Sequence, residues 1–154
     1  MKTHTHFGIY GLLIENNKIL LINKANGPYK GKLDLPGGTP EFGEKPIETL
    51  HREFKEETGI TVLNQELFDI DSVLPYWNYN KEIIKVHHTG AFYKITNYTG
   101  NIRNNIELDD ANDDSKGAMF YDMKNLNKDN LSDITILELN KLGYLMNLST
   151  KSRQ

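Results

Sequence analysis

The segment 26–58 constrains the fold most, because a loop rich in glycine and proline runs directly into the clearest helical pattern of the chain. The loop, NGPYKGKLDLPGGTPEFGE, favours turns and leaves room for one short strand at residues 33–35. The pattern PIETLHREFKEET over residues 46–58 predicts a helix with Pro46 in its first turn and Gly59 just past its end. Strand-like segments precede and follow this helix, which favours an α/β architecture.

The segments around the helix have the composition of β-strands. HFGIYGLLI at residues 6–14 and KILLINK at residues 18–24 predict a β-hairpin whose turn contains Asn16 and Asn17. Apolar and β-branched residues predict further strands at 59–63, 67–74, 82–96 and 118–123. The aromatic and asparagine-rich stretch PYWNYNK, residues 75–81, is predicted to be a loop.

The end of the chain completes the predicted fold. Residues 130–148 have an amphipathic helical pattern that begins at Ser132 or Asn130 as its cap, and residues 149–154 are expected to be a disordered tail. With 154 residues and no internal repeat or linker, we expect one domain over residues 1–148. Strands flanking one central helix, with a second helix at the end, predict a mixed α/β sandwich.

Composition excludes several functional classes. The chain has no cysteine, which excludes disulfides and cysteine nucleophiles. Its net charge of −3 gives no general attraction to nucleic acid or anionic lipid, so we expect no nucleic-acid partner. No apolar run approaches the roughly 20 residues of a membrane helix, so no membrane partner is expected either. Cytoplasmic localisation is the default expectation for such a chain.

The helix concentrates three carboxylates on one face. In REFKEETGI, residues 52–60, Glu53 lies about 40° from Glu57 and about 60° from Glu56 around the helix axis. With Ile47, Leu50 and Phe54 taken as the apolar stripe, the carboxylates lie beside the buried side of the helix.

A solvated acidic face is the simplest explanation, but such faces usually pair glutamate with a basic residue four positions on. Here Glu57 follows Glu53 at that spacing, and Arg52 is placed to help only through Glu56. Each pair of unscreened carboxylates at this spacing repels by roughly 3 kcal/mol, which predicts a bound cation. Carboxylate oxygens favour Mg²⁺, Mn²⁺ or Ca²⁺ over zinc.

Spacing to upstream residues makes this interpretation more specific. The segment 38–60 resembles the Nudix box of the Nudix hydrolase superfamily, whose MutT-like members share it. The flanking LPGG and PEFGE are also similar to the family. All the defining positions are filled, by Gly38, Glu44, Arg52, Glu53, Phe54, Glu56, Glu57, Gly59 and Ile60.

The resemblance implies a fold, an activity and a set of roles. It implies an α/β/α sandwich with a mixed central sheet. The implied activity is hydrolysis of a diphosphate linkage in a nucleoside diphosphate derivative or (d)NTP by water attack on phosphorus. The implied cofactor is Mg²⁺, with Mn²⁺ as an alternative ion. The resemblance implies a small-molecule nucleotide as partner and is compatible with a homodimer. The implied roles are metal binding by Glu53, Glu56, Glu57 and Gly38, catalysis by Glu57, Glu53 and Arg52, and support of the loop and helix end by Glu44 and Gly59.

Residues outside the box supply further candidates. Gly37, Tyr76 and Trp77 are candidates for substrate binding, the aromatic pair through stacking on a base or ribose. His87 and His88 lie on a predicted strand, so one is expected to face inward and the other outward. Lysines near the loop are candidates for contacts to substrate phosphates, against simple solvent exposure: Lys24, Lys30 and Lys32.

The catalytic base stays open between a box glutamate and an acidic residue of a distal loop. The distal candidates are Glu107, Asp109, Asp110, Asp113 and Asp114. Three alternatives to hydrolysis also stay open: an isomerase of diphosphate substrates, a nucleotide-sensing module of the same fold, and a structural protein with an acidic helix.

Overall fold

The computed structural model describes residues 1–102 and 115–144. The predicted acidic loop at 107–114 and the predicted tail at 149–154 lie outside these residues. Within the described residues, the α-helices are α1 (Pro46–Thr58) and α2 (Asp133–Lys141), and short 3₁₀ helices span Met123–Asn125 and Lys128–Asn130. The strands in chain order are β1 (Lys2–Leu12), β2 (Ile14–Glu15), β3 (Lys18–Lys24), β4 (Leu33–Asp34), β5 (Gly37–Gly38), β6 (Thr61–Val73), β7 (Tyr76–Tyr79), β8 (Glu82–Thr99) and β9 (Ser115–Asp122).

The strands form two sheets. The first has the order β5-β1-β8-β6, with β7 also paired to β8; β1 and β8 run parallel and the other pairs are antiparallel. The second is antiparallel and centred on β3, which pairs with β9 along one edge and with β2 and β4 along the other. The first sheet is therefore mixed, as the family resemblance implied.

Alternating residues of the central strands face two different apolar clusters. Ile9 of β1 and Leu13, just past its end, pack with Leu50 and Phe54 of α1. Tyr10 and Leu12 of β1 pack on the other side, in a cluster that includes Ile134 and Leu139 of α2. A strand layer with one helix on each side is an α/β/α sandwich, so the predicted fold is confirmed.

The helices follow the sequence signals closely. Helix α1 spans the predicted residues, and Gly59 ends it with a φ of 84° and an N–H that donates to the Lys55 carbonyl at 3.0 Å. Helix α2 begins at the predicted cap Ser132, whose side chain accepts from the Thr135 N–H, but it ends at Lys141, earlier than expected. Neither helix of the described residues is long and apolar enough to cross a membrane.

Several strand predictions were wrong in detail. Asn16 and Asn17 do form a turn, with φ of 50° and 62°, but the hairpin joins only the short β2 to β3, because β1 belongs to the other sheet. The strands predicted at 59–63 and 67–74 are one strand, β6, with irregular register. In α1, Ile47 is exposed, so the buried stripe consists of Leu50 and Phe54 without it.

The predicted loop at 75–81 is the end of a long hairpin. Strands β6 and β7 both pair antiparallel with β8, so the chain from Thr61 to Thr99 forms one extended ribbon. Asn80 and Lys81 reverse the chain with φ of 49° and 64°. Pro75 interrupts the outer strand, yet its carbonyl still accepts from the Val86 N–H at 2.9 Å. An edge strand tolerates proline, which has no N–H, because an N–H on the outer side of an edge strand has no neighbouring strand to pair with.

Candidate active site

Arg52 joins three of the predicted site glutamates. Its Nε and Nη2 donate to the two carboxylate oxygens of Glu44 at 2.7 and 3.0 Å, and its Nη1 donates to Glu53 at 2.8 Å and to Glu56 at 3.3 Å. A further N–H contacts the Thr39 carbonyl at 3.2 Å. The helix spacing predicts Glu56 as the one partner of Arg52, but its main partner in the structure is Glu44. The guanidinium therefore fixes the loop before α1 to the carboxylate face of α1.

Glu44, for which the resemblance implied a supporting role, accepts two hydrogen bonds from Arg52. It also accepts from the Glu41 N–H at 3.0 Å and from the Thr49 hydroxyl at 2.6 Å. These contacts, first of all the hydrogen bonds from Arg52, lower the pKa of Glu44 to about 2. A carboxylate ionised so firmly holds Arg52 in place at any ordinary pH.

Glu57 lies in a different environment from the other carboxylates. Its side chain is buried on the inner side of α1, as the helix geometry predicted, and its Oε1 accepts from the Gly37 N–H at 2.9 Å. Burial raises the pKa of Glu57 well above its usual value, and the charge of Lys24 and the Gly37 hydrogen bond oppose that shift. Burial likewise raises the pKa of Glu53, against the contact with Arg52. For both carboxylates, the effect of burial on the pKa therefore outweighs that of the nearby positive charges.

The glycine pair at the end of the loop brings the backbone close to these carboxylates. A Cβ added to Gly38 would lie 2.8 Å from both Cδ and Oε1 of Glu53, so only glycine leaves that space open. Gly37 pairs with Tyr10 of β1 while its amide holds Glu57. The loop, the helix and the first sheet therefore meet at Gly37 and Gly38.

The chemistry of these residues fits a hard divalent cation. The donors are carboxylate oxygens, and Gly38 leaves open space beside one of them. Within residues 1–102 and 115–144, however, no three carboxylate or histidine side chains converge in a geometry that could hold a metal ion. Arg52 and the Gly37 amide engage one oxygen on each of Glu53, Glu56 and Glu57. The donor set therefore suits Mg²⁺ or Mn²⁺ without being preassembled around one ion.

A cavity of about 180 Å³ has Tyr10 in its lining, and Tyr10 pairs with Gly37, whose amide donates to Glu57. Trp77 and Lys24 also line the cavity, as does His88, which is buried while His87 is exposed, as the strand alternation predicted. Tyr76 lies outside this lining and is 60% exposed, with the ammonium of Lys85 over its ring at 5.8 Å. Of the two aromatic candidates, the structure therefore brings only Trp77 to the cavity.

Sequence reasoning missed several other residues of the cavity. Tyr10 and Tyr29 contact His88, although they are 78 and 59 residues away from it in the chain. His6 and Asp34 also line the cavity. The only local sequence signal for a residue of this cavity was the alternation along the strand, which predicted that one of His87 and His88 faces inward. The distal acidic candidates for a catalytic base lie in the segment outside the described residues.

Comparisons with known proteins identify the family and the fold. The sequence profile of the NUDIX domain matches residues 2–137, and the chain belongs to this family. An ADP-ribose pyrophosphatase of Methanocaldococcus jannaschii is 33% identical over 125 residues, which are 81% of this chain and 66% of that protein. An 8-oxo-dGTP diphosphatase of Escherichia coli is 41% identical over 56 residues, 36% of this chain and 43% of the relative. The chain thus spans about two thirds of the first relative and less than half of the second.

Solved structures confirm the fold. A MutT NUDIX hydrolase from Burkholderia pseudomallei superposes with a TM-score of 0.72 at 22% identity, over 90% of this chain and 98% of that one. A MutT protein from Bacillus halodurans gives a TM-score of 0.63, also at 22% identity, over 93% and 84% of the two chains. At this identity the likeness concerns the architecture alone.

Proposed function

We propose that the protein is a divalent-metal-dependent pyrophosphohydrolase that cleaves a diphosphate linkage in a nucleoside diphosphate derivative. The observation that carries the proposal is the arrangement around α1, in which Arg52 orients Glu53 and Glu56 while Glu57 is held by the Gly37 amide. The 33% identity to a protein named ADP-ribose pyrophosphatase supports ADP-ribose as the first substrate to test, and the shorter match to an 8-oxo-dGTP diphosphatase adds (d)NTPs.

The proposed division of work follows from the contacts. Glu53, Glu56 and Glu57 would hold Mg²⁺ or Mn²⁺, with the backbone at Gly38 beside them. When bound, such an ion neutralises diphosphate charge and lowers the pKa of a coordinated water. Arg52 orients the carboxylates and is itself held by Glu44, so the site depends on the loop before α1 as much as on the helix.

The buried position of Glu57 explains why the site would need a cation. A carboxylate in this position is costly to ionise, as its raised pKa indicates, and a divalent ion would compensate for that cost. The proton acceptor for the attacking water is proposed to be a box glutamate, with the acidic residues at 107–114 as the alternative.

The proposal is tested with purified protein, Mg²⁺ and a panel of ADP-ribose, dinucleoside polyphosphates, nucleotide sugars, (d)NTPs and 8-oxo-dGTP, while product release is followed. We expect one substrate class to be cleaved, EDTA to abolish cleavage, and Mg²⁺ to restore it. Glu53→Gln and Glu57→Gln should each lower kcat/KM by about a hundredfold or more, since each removes a charge from the site.

The matched control is Glu66→Gln, which makes the same chemical change on the exposed side of β6 and should leave kcat/KM unchanged. Nucleotide binding without cleavage of any panel member would contradict the proposal and favour a sensing module. Rearrangement of a diphosphate substrate without release of two products would favour an isomerase.

A further inference from the structure

The cavity lined by Tyr10, Tyr29, Trp77 and His88 has the size and lining of a site for a single ring system. Its volume of about 180 Å³ is somewhat larger than a cavity of about 150 Å³ that holds a benzene ring, and too small for a whole nucleotide. Aromatic and imidazole rings form much of its wall, contributed by Tyr10, Tyr29, Trp77, His6 and His88. Such walls favour stacking on a flat ligand.

Three of these residues form a hydrogen-bonded trio. The Nε2 atom of His88 lies 2.7 Å from the Tyr10 hydroxyl oxygen, and its Nδ1 atom lies 2.8 Å from the Tyr29 hydroxyl oxygen. Burial, followed by the charges of His6 and Lys24, lowers the pKa of His88 to about 3, so its imidazole is neutral. Burial also raises the pKa of both tyrosines, with Asp34 adding to the shift. All three members of the trio are therefore uncharged at neutral pH.

Counting hydrogens shows what the trio offers to a ligand. The two phenols and the neutral imidazole carry three polar hydrogens, and the two contacts within the trio use two of them. In one tautomer the hydrogen left over belongs to Tyr10, and in the other tautomer it belongs to Tyr29. In either case one phenol O–H remains for a partner outside the trio. The trio therefore favours an uncharged ring with a hydrogen-bond acceptor on its edge.

The charges around the cavity indicate how such a ligand would be oriented. Asp34, whose Oδ1 accepts from the Leu35 N–H and the Ser132 hydroxyl, adds negative charge to the lining and disfavours a phosphate there. Lys24 also lines the cavity, and its positive charge acts on both His88 and Glu57. A ring in the cavity would therefore have its phosphates near Lys24 and the carboxylates.

The backbone gives the same orientation. Tyr10 of the trio pairs with Gly37 between β1 and β5, and the amide of Gly37 holds Glu57. Gly37 thus connects Tyr10 in the wall of the cavity to Glu57, the carboxylate at which the diphosphate would be cleaved. We propose that the cavity binds the nucleobase of the substrate, and that Tyr10, His88 and Tyr29 determine specificity by donating one phenol hydrogen to it. This inference rests on the proposed function, because the diphosphate is what places a base at this cavity.

A binding measurement without catalysis tests the inference. Trp77 is the only tryptophan of the chain and lines the cavity, so its fluorescence reports on occupancy. We expect AMP, added with EDTA present, to change this fluorescence in a saturable way, and ribose 5-phosphate to bind at least tenfold more weakly. Either Tyr10→Phe or Tyr29→Phe, whichever removes the remaining hydrogen, should raise the Kd for AMP about tenfold, with a smaller effect of the other variant.

The control is Tyr144→Phe, which removes a phenol outside the cavity lining and should not change either Kd. If the trio has only a structural role, its variants should bind AMP and ribose 5-phosphate more weakly by the same factor, and that result would overturn the inference. Equal affinity of the wild type for both ligands would also overturn it. If Tyr10→Phe does not fold, judged by circular dichroism, Tyr29→Phe and His88→Gln decide the question through the same ratio of Kd values.

Hydrolysis assays separate this inference from the proposed function. If the wild type binds AMP through its base but cleaves no panel member, the function fails and the base assignment stands. If it cleaves a substrate but neither tyrosine variant changes the ratio of kcat/KM between that substrate and its base-free analogue, the base assignment fails and the function stands.

Discussion

Gly37 and Gly38 are neighbours in the chain, yet their missing side chains serve different purposes. A Cβ on Gly37 would lie 2.0 Å from the Ile9 carbonyl oxygen and 2.7 Å from the Tyr10 Cα, both backbone atoms of β1 that cannot move aside. A Cβ on Gly38 would instead meet the end of the Glu53 side chain, which can turn away. The first glycine is therefore required by the fold, and the second by the position of a carboxylate.

This difference predicts opposite outcomes for the two alanine variants. Gly38→Ala should change the free energy of unfolding by less than about 1 kcal/mol but lower kcat/KM by about a hundredfold, because the displaced Glu53 carboxylate leaves its place beside Arg52. Gly37→Ala should destabilise the protein by about 3 kcal/mol or more through the clash with β1. Urea denaturation and hydrolysis kinetics on both variants make the comparison. Full activity of Gly38→Ala would show that the position of Glu53 does not matter.

At the scale of single residues, the sequence predicted the carboxylate site better than the cavity. Arg52, Glu53, Glu56 and Glu57 lie within six positions on one helix, whose regular geometry fixes their relative directions. The trio of Tyr10, Tyr29 and His88 comes from three separate segments, and only the pairing of β1 with β8 brings two of them together. Such long-range contacts leave no local pattern in the sequence.

At the scale of elements, the ribbon of β6, β7 and β8 is where the sequence was most misleading. Pro75 and the asparagines of residues 75–81 favour a loop, although the aromatic residues beside them favour a strand. The strand forms because β7 is at an edge, where Pro75 costs no hydrogen bond, and because Asn80 and Lys81 accept positive φ. The turn is of the kind that prefers Asn-Gly, and lysine occupies the second position.

That lysine predicts a stabilising substitution. Lys81 has a φ of 64°, which costs a residue with a Cβ about 1 kcal/mol relative to glycine. Lys81→Gly should therefore raise the free energy of unfolding by about 0.5 to 1 kcal/mol, measured by urea denaturation. Lys81→Ala is the matched control, because it removes the same side chain but keeps the Cβ, and it should give no gain. A gain of equal size in both variants would assign the effect to the lysine charge instead.

At the scale of the whole molecule, the attachment of α2 to the first sheet contains a buried acid. Glu138 is fully buried, and neither of its carboxyl oxygens accepts a hydrogen bond from a described residue, whereas the protonated carboxyl group can donate one to Asp69. Asp69 and Asp71 of β6 lie nearby and are both bridged by Lys141. Burial, with Asp69 as the next cause, raises the pKa of Glu138 to about 8. The closing helix is thus packed on the sheet through a carboxyl group that is protonated at neutral pH.

This group predicts how stability depends on pH. Because the pKa of Glu138 is about 8 when folded and 4.5 is its ordinary value, the folded protein binds the proton more tightly. Its contribution to stability is complete below about pH 4.5 and is lost as pH rises through 8. Glu138→Gln cannot ionise, so it should be more stable than the wild type above pH 8 by a few kcal/mol, at about 1.4 kcal/mol per unit of pKa.

Thermal or urea unfolding of both proteins from pH 5 to 9 measures this difference. Asp69, Asp71 and Lys141 also face the group, but they are the same in both proteins, so the difference between the two curves isolates Glu138. The exposed Glu66→Gln should give a curve parallel to that of the wild type. Parallel curves for Glu138→Gln as well would show that Glu138 does not titrate in this range.

The ribbon has a consequence for how proteins of this kind diverge. Trp77 forms part of the cavity wall from a position near the free end of the ribbon, whereas the carboxylates belong to α1 and its preceding loop on separate elements. Insertions or deletions at a hairpin end leave the base of the ribbon paired as before. Under the proposed base assignment, changes near Trp77 at the end of the ribbon would therefore alter the group that the cavity accepts, while α1 and its glutamates stay unchanged.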